Sequence, residues 1–443
     1  MVSTILLASC FAGAAALDNA FRLPPLGWSS WYGFTSNIDE ELFKGIGEGL
    51  IAPRLLRNGS QVTLAAVGFR HVWCDDGFAL PRDSVTQKIV VDPVLFPSGF
   101  RNLSDTLHAQ GLFWGVYTSK GPLTCLAYAA GQPKRPGSCG FEELDADTYA
   151  NDWQVDQLKD DGCGDCPQHD PFIAMRDALN ATGRQILYQT HSAPNGTVAN
   201  AWRTGGDLYA SNFDSACSGP APLYTLPLSA PCPLPTPLLC PPPPPRAVWT
   251  NRLDLATTPE QAQLVGPGSL ADPDFLEVGY TPRNPPGRTQ SALEQRSMFT
   301  MWAALPTGLI LSADLRVGSN GVDADTLETL TNEEVIAINQ DPLVAPMRPL
   351  ANESGLQVWR KPLAAAATQC IVFFHRGLNT TQPLPTPPIV REMAISWAAL
   401  GLAPTAAVRV RDLWARADLG TFTGSFAANV TLRDARIYTF RSL

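Results

Sequence analysis

Carboxylates and their polar neighbours gather at the ends of short apolar runs in this chain of 443 residues: Asp75-Asp76, Lys159-Asp160-Asp161, Arg203 to Asp207 and Asp272-Pro273-Asp274, with Tyr117 ending a fifth run. Two carboxyl groups in unlike surroundings are the minimal set for hydrolysing a glycosidic bond. One attacks the anomeric carbon or activates water, and the other protonates the leaving oxygen. Asp161 stands beside Lys159, whose cation favours an ionised carboxylate, as a nucleophile requires. Asp207 closes the run Trp202-Arg-Thr-Gly-Gly-Asp207, in which the glycines let backbone approach a ligand and Arg203 can bind sugar hydroxyls. Trp31 and Tyr117 offer apolar faces to a sugar ring. A single carboxylate after a strand is more often solvated surface. Clusters at five successive run ends are poorly explained that way, and they point to a sugar-processing enzyme without naming the sugar.

Those positions need a scaffold that collects strand ends on one face, and the loops after the strands of a (β/α)8 barrel do so. Eight strand-like runs alternate with amphipathic segments: Leu26 to Trp31, His71 to Asp75, Leu112 to Thr118, Val155 to Asp160, Gln185 to Thr190, a weak one ending at Asp207-Leu208, Phe275 to Val278 and Gly308 to Ala313. Helices are predicted over Asn102 to Gln110, Asp145 to Gln154, Pro171 to Asn180 and Ser291 to Leu305, with Asn102 and Asp145 as side-chain caps. The segment Gly219 to Arg246, with its proline run from Pro241 to Pro245, fits neither helix nor central strand and is read as an inserted loop stapled by Cys217, Cys232 and Cys240. After Pro342 the periodicity changes. Leu356 to Lys361, Cys370 to His375, Ala407 to Val410, Asn429 to Leu432 and Ile437 to Phe440 alternate without long helices, which predicts a small antiparallel β domain. The predicted organisation is therefore a leader over 1–16, an α/β TIM barrel over 17–345 and a β-sandwich over 346–443.

The formal charge of −9 argues against a nucleic-acid partner, which would need a basic footprint, and a neutral carbohydrate fits better. The apolar start, ending in small residues at Ala14-Ala15-Ala16, reads as a cleaved leader and is too short to span a bilayer, so no membrane partner is predicted. Sequons at Asn58, Asn102, Asn180, Asn195, Asn352, Asn379 and Asn429 add to the expectation of a secreted or vacuolar/lysosomal protein. Of 10 cysteines, Cys10 lies in the leader, which leaves an odd number and at least one free thiol; Cys74 and Cys370, in apolar runs, are the candidates. Cys163-Gly-Asp-Cys166 has redox spacing with His169 nearby, but in an oxidising compartment Cys125, Cys139, Cys163 and Cys166 are better read as two disulfides. The 5 histidines lack ligand spacing, and the two-carboxylate chemistry needs no metal or cofactor.

The ordered blocks Leu23-Pro-Pro-Leu-Gly-Trp-Ser-Ser-Trp31, Trp73-Cys-Asp-Asp76, Phe96-Pro-Ser-Gly99, Gly115-Val-Tyr117, Pro136-Gly-Ser138, Leu158-Lys-Asp-Asp-Gly-Cys163, Trp202-Arg-Thr-Gly-Gly-Asp207, Asp272-Pro-Asp274 and Asn339-Gln-Asp-Pro342 resemble those of the family 27 glycoside hydrolases, the α-galactosidases and α-N-acetylgalactosaminidases. Val410-Arg-Asp-Leu-Trp414 resembles the family's C-terminal β-sandwich. The resemblance implies a retaining double displacement on terminal α-galactosides, with Asp161 as nucleophile and Asp207 as general acid/base. It places Trp31, Asp75, Asp76, Tyr117, Lys159, Arg203 and Asp274 at sugar-binding positions and pairs Cys125 with Cys163. It leaves a homodimer open.

Departures from the family bear on specificity. Gly77 follows the paired aspartates where the family usually has Cys, so that disulfide is lost. The Glu-Trp that reads the sugar's 2-hydroxyl in α-galactosidases is replaced within Gln189-Thr-His-Ser-Ala-Pro194, so that His191 or Ser192 takes the Glu position. Ser192, as a small residue there, resembles the α-N-acetylgalactosaminidase pattern. Leu270-Ala271 and Phe275 also alter the pocket wall. Outside the enzymes, a secreted sugar-binding protein is the competing reading. Retention of both Asp161 and Asp207 counts against it.

Overall fold

Short apolar runs joined by amphipathic crossovers dictate parallel strands, and the computed structural model, which describes residues 17, 19–129, 131–191, 196–208, 248–282, 290–377 and 386–443, has eight of them in one curled sheet. They are β1 (Leu26–Ser29), β2 (His71–Trp73), β3 (Phe113–Ser119), β4 (Gln157–Asp161), β5 (Leu187–Thr190), β6 (Ala201–Arg203), β7 (Leu270–Asp272) and β8 (Leu309–Leu311), hydrogen-bonded in the order β7-β6-β5-β4-β3-β2-β1-β8. The barrel closes at Leu276, which pairs in parallel with Leu311 and whose N–H donates to the Ile310 carbonyl at 2.7 Å. Its interior and the shell beneath the helices hold Trp28, Trp114, Trp202 and Trp302, all fully buried.

Two strand expectations need correction. The sixth strand ends at Arg203 rather than at Asp207-Leu208, because Thr204 to Asp207 peel away as a loop. The seventh is Leu270–Asp272 rather than Phe275 to Val278. Asp272-Pro273-Asp274 breaks this strand, with Asp274 at φ 105°, so one side of the barrel is bonded before the break and the other after it. The insertion from Gly219 to Arg246 and the leader lie outside the described residues.

The helices that flank the barrel include α1 (Trp31–Phe34), α2 (Glu40–Ile51), α3 (Gly99–Ala109), α4 (Glu142–Asp147), α5 (Pro171–Thr182), α6 (Val248–Ala256), α7 (Pro259–Leu264), α8 (Ala292–Ala304), α9 (Ala324–Leu330) and α10 (Glu333–Asn339). Neither predicted cap is one. Asn102 lies inside α3, and Asp145 lies inside α4, its buried carboxylate held by Arg82 Nη1 and Nη2 at 2.7 Å each. α5 does begin as its sequence dictates: Asp170 accepts from the N–H groups of Phe172 and Ile173, and Pro171 fills the first turn, where no N–H is needed. α8 opens with a reciprocal cap between Ser291 and Glu294. Among the described residues no helix is long and apolar enough to cross a membrane.

The C-terminal part is antiparallel: β9 (Arg348–Glu353), β10 (Leu356–Pro362), β11 (Thr368–His375), β12 (Val390–Ser396), β13 (Val408–Asp412), β14 (Ala417–Phe422), β15 (Ser425–Thr431) and β16 (Ala435–Ser442). Six form a sheet in the order β9-β10-β11-β16-β13-β14, and β12 pairs with β15 over one of its faces. Alternation along β11 explains why this strand is buried throughout. Ile371 and Phe373 face the sandwich core, whereas Cys370, Val372 and Phe374 join the core of the barrel. Arg296 of α8 reaches Asp434 at 2.9 Å, and the Trp414 indole N–H donates to Thr300 Oγ1 at 2.9 Å, so α8 ties the two cores together.

Candidate active site

Residues at the carboxyl ends of β1 to β7 converge, as a parallel barrel requires. Asp161 is the last residue of β4; it accepts from the Tyr117 hydroxyl of β3 at 2.9 Å and from its neighbour's amide, Gly162 N, at 2.7 Å. Lys159, two residues back on the same face, does not bond Asp161. Its ammonium donates to Asp75 Oδ2 at 2.7 Å, with both groups buried, and lies 5.3 Å from the Tyr117 ring centre. Burial disfavours that charge, but Asp75, Asp161 and Asp207 together outweigh it and keep the ammonium protonated. Burial also works to raise the Asp161 carboxyl, yet His191 and Lys159 overcome it and hold the group below the ordinary carboxylate value. This is the ionised state that a nucleophile needs.

Asp207 lies in the loop after β6. Arg203 Nη2 sits 3.4 Å from Asp207 Oδ1, 3.0 Å from the Gly206 carbonyl oxygen and 2.6 Å from Asp274 Oδ2. Against burial, His191, Arg203 and Lys159 draw the Asp207 carboxyl well below its usual range. The Asp274 carboxyl is pushed up to about 6 by burial, with Arg203 opposing, and it is bound further by the Tyr32 hydroxyl and by Leu208 N at 2.6 Å. Asp76 is likewise pushed up to about 6 by burial while it accepts from Leu126 N at 2.8 Å. That bond anchors the loop carrying Cys125, which is disulfide-bonded to Cys163 just beyond Asp161. Trp31, half-buried at the start of α1, completes the group from β1.

The geometry thus gathers Trp31, Asp75, Asp76, Tyr117, Lys159, Asp161, Arg203, Asp207 and Asp274 at one end of the barrel. Ser192 lies outside the described residues. Sequence reasoning missed Tyr32 as the partner of Asp274; its only signal is a position beside Trp31. It noted His191 only as one occupant of a replaced motif. In the structure the His191 ring stands between the two carboxylates, Nδ1 at 3.8 Å from Asp161 Oδ1 and Nε2 at 3.8 Å from Asp207 Oδ1.

Among the described residues the cysteines resolve into Cys125–Cys163 and Cys139–Cys166, with Cys74 and Cys370 free and buried. Cys163 and Cys166 are therefore not a redox pair with one another. Among the described residues, Asp161 with Cys125 and Cys163, and Glu142 and His169 with Cys166, bring metal-binding atom types close together. The sulfurs of both groups are in disulfides, so neither group offers a thiolate.

Family models match both parts of the chain. The model described as alpha galactosidase A matches residues 23–201 and 253–341, and the alpha galactosidase C-terminal beta sandwich domain matches 353–440. The chain belongs to the melibiase-like glycoside hydrolases of family 27. Among its relatives, alpha-galactosidase 3 of Arabidopsis thaliana is 32% identical over 96% of this chain and 84% of its own length. An alpha-galactosidase of Oryza sativa subsp. japonica is 29% identical over 96% of this chain and 86% of its own. The crystal structure of alpha-galactosidase I from Mortierella vinacea superposes with a TM-score of 0.72 at 27% identity, covering 94% of this chain and 96% of that one.

Proposed function

We propose that this protein is a retaining α-galactosidase that removes terminal α-linked galactose from oligosaccharides or glycoconjugates. The observation that carries the reading is the meeting of Asp161 and Asp207 across His191, with Asp161 held ionised and bonded by Tyr117. Asp161 attacks the anomeric carbon as Asp207 gives its proton to the leaving oxygen, and the C–O bond breaks to leave a glycosyl ester on Asp161. Asp207, now a carboxylate, takes a proton from water. That water then attacks the same carbon and releases Asp161. Asp75, Asp76, Arg203 and Asp274 supply the polar wall that holds sugar hydroxyls, and Trp31 and Tyr117 supply the ring-facing surface.

Delivery by the secretory route belongs to the same proposal and is supported by four exposed sequon asparagines, Asn58, Asn102, Asn352 and Asn429. A downward mobility shift on endoglycosidase treatment of the native protein tests it.

The test of function is hydrolysis of nitrophenyl α-galactoside and nitrophenyl α-N-acetylgalactosaminide side by side, with wild type, Asp161→Asn and Asp207→Asn. The reading predicts cleavage of the galactoside by wild type and loss of at least about 100-fold in Asp161→Asn. Preference for the acetamido sugar would move the specificity to the α-N-acetylgalactosaminidases. Cleavage of neither sugar would favour a binding protein.

A further inference from the structure

The family signature supplies two carboxylates, and this chain adds an imidazole between them. His191 follows β5, and its backbone N–H donates to the Asp160 carbonyl at 3.0 Å, which fixes where the side chain leaves the barrel. The ring packs against the Gly162 backbone: a Cβ there would lie 3.4 Å from His191 Nδ1 and 3.6 Å from its Cβ, both ordinary contact distances. The two ring nitrogens are thereby divided. Nδ1 faces Asp161 and Nε2 faces Asp207, each at 3.8 Å, while the side chain keeps 25% of its surface exposed. At 3.8 Å these are charge-pair distances rather than hydrogen bonds, so one ring, when protonated, attracts both carboxylates at once.

We propose that His191 is a positioning residue that couples the two carboxyl groups, fixing their mutual placement and setting how readily Asp207 carries the proton it must deliver. The inference rests on the α-galactosidase reading and on Asp207 as acid/base. The charged groups around the ring are Asp161 and Lys159 from β4 and Arg203 and Asp207 from β6 and its loop. Beyond these lie Asp75 and Asp76 after β2 and Asp274 after β7, and Asp160 turns its carboxylate away to Tyr188 at 2.8 Å. Of these groups, His191, Arg203 and Lys159 work together against burial to keep the Asp207 carboxyl low. Removing the imidazole leaves two of the three. Asp207 then holds its proton to higher pH, and the alkaline limb of kcat/KM moves to higher pH, because that limb reports deprotonation of the acid in the free enzyme.

The experiment compares wild type, His191→Ala and His191→Asn by pH profile on two substrates, an unactivated galactosyl disaccharide and dinitrophenyl α-galactoside, whose leaving group departs without protonation. The expected result is an alkaline limb displaced upward in both variants on the disaccharide. On the disaccharide kcat falls roughly 10-fold or more and on the dinitrophenyl substrate by less, because attack by Asp161 is common to both and only the disaccharide also needs the proton from Asp207. Asn keeps polarity and approximate size without the ability to charge, so it separates coupling from simple space-filling. A limb at the wild-type pH in either folded variant, or equal losses on the two substrates, overturns the proposal. Asp207→Ala, assayed on the dinitrophenyl substrate with added azide, tests the underlying reading by itself. Absence of azide rescue would remove Asp207 as acid/base and the inference with it. Rescue together with an unmoved limb in the His191 variants would remove the inference alone.

Discussion

At the scale of single residues, the site is governed by how a few cations are shared among many carboxylates. Lys159 bonds Asp75 directly and acts on Asp161 through space, so it is the pivot of the ionised state. In Lys159→Met, Asp75 keeps its burial and loses its counter-ion, and removal of one partner of a buried pair costs about 3–5 kcal/mol. Thermal unfolding is expected to show the loss, together with a fall in kcat as Asp161 loses a stabilising cation. Wild-type melting would mean that Asp75 is neutral in the folded protein. The low position of Asp207 has a kinetic consequence. The free enzyme must be protonated there before it can act on an unactivated substrate, so kcat/KM is expected to fall as pH rises, by roughly 10-fold or more from about pH 4.5 to 7.5. A flat profile on an unactivated disaccharide would contradict the role of Asp207. The family departure at Gly77 also has a residue-scale cause: at φ 128° an L side chain is strained, and a Cβ would meet Ser36 Cα at 3.1 Å.

At the scale of elements, the barrel carries at the end opposite the site a buried group that titrates. His71 opens β2, is buried, and has its pKa lowered by burial to about 4, with Nδ1 2.5 Å from Gln157 Oε1. An unfolded-chain histidine titrates near ~6.5, so between about pH 4 and 6.5 the unfolded state binds the extra proton. The stability contributed by neutral His71 is present above that window and is lost as pH falls through it, by at most about 3 kcal/mol. Asp76 and Asp274, raised to about 6, act in the opposite direction. Their folded forms bind protons more tightly than the unfolded chain does, and the resulting stability, full below about pH 4, is lost as pH rises through 6. Replacing His71 with Asn is therefore expected to lessen the drop in melting temperature between pH 7 and pH 4.5. An unchanged drop would show that water reaches the imidazole.

At the scale of the whole molecule, the sequence was most legible where chemistry and periodicity coincide. Asp75, Asp161 and Arg203 end or follow apolar runs, and those runs are barrel strands because parallel strands buried on both faces must be apolar until their carboxyl ends. Where one strand serves two neighbours through different residues, pattern reading fails. Phe275 to Val278 carries the apolar signal, but Leu270–Asp272 carries the ladder to β6, and only the closed barrel reveals that Asp-Pro-Asp divides the work. The caps were misread because Asn102 and Asp145 have the right chemistry at the wrong phase: the helices begin three residues earlier, where apolar Phe100 and the turn at Gly99, or the acidic first turn at Glu142, set the start. His191 was legible as a replacement and not as a bridge. Its place between carboxylates from β4 and the β6 loop depends on which strands are neighbours in the closed sheet.

The central claim is that Asp161 becomes covalently attached to the sugar. The most direct measurement is inactivation of the wild-type protein with an activated fluorinated α-galactosyl substrate that slows hydrolysis of the ester, followed by proteolysis and mass mapping. The account predicts a single galactosyl adduct on the peptide that spans Leu158 to Cys163, located on Asp161 and absent from Asp161→Asn. An adduct on another carboxylate, or turnover with inverted anomeric configuration and no adduct, would contradict it.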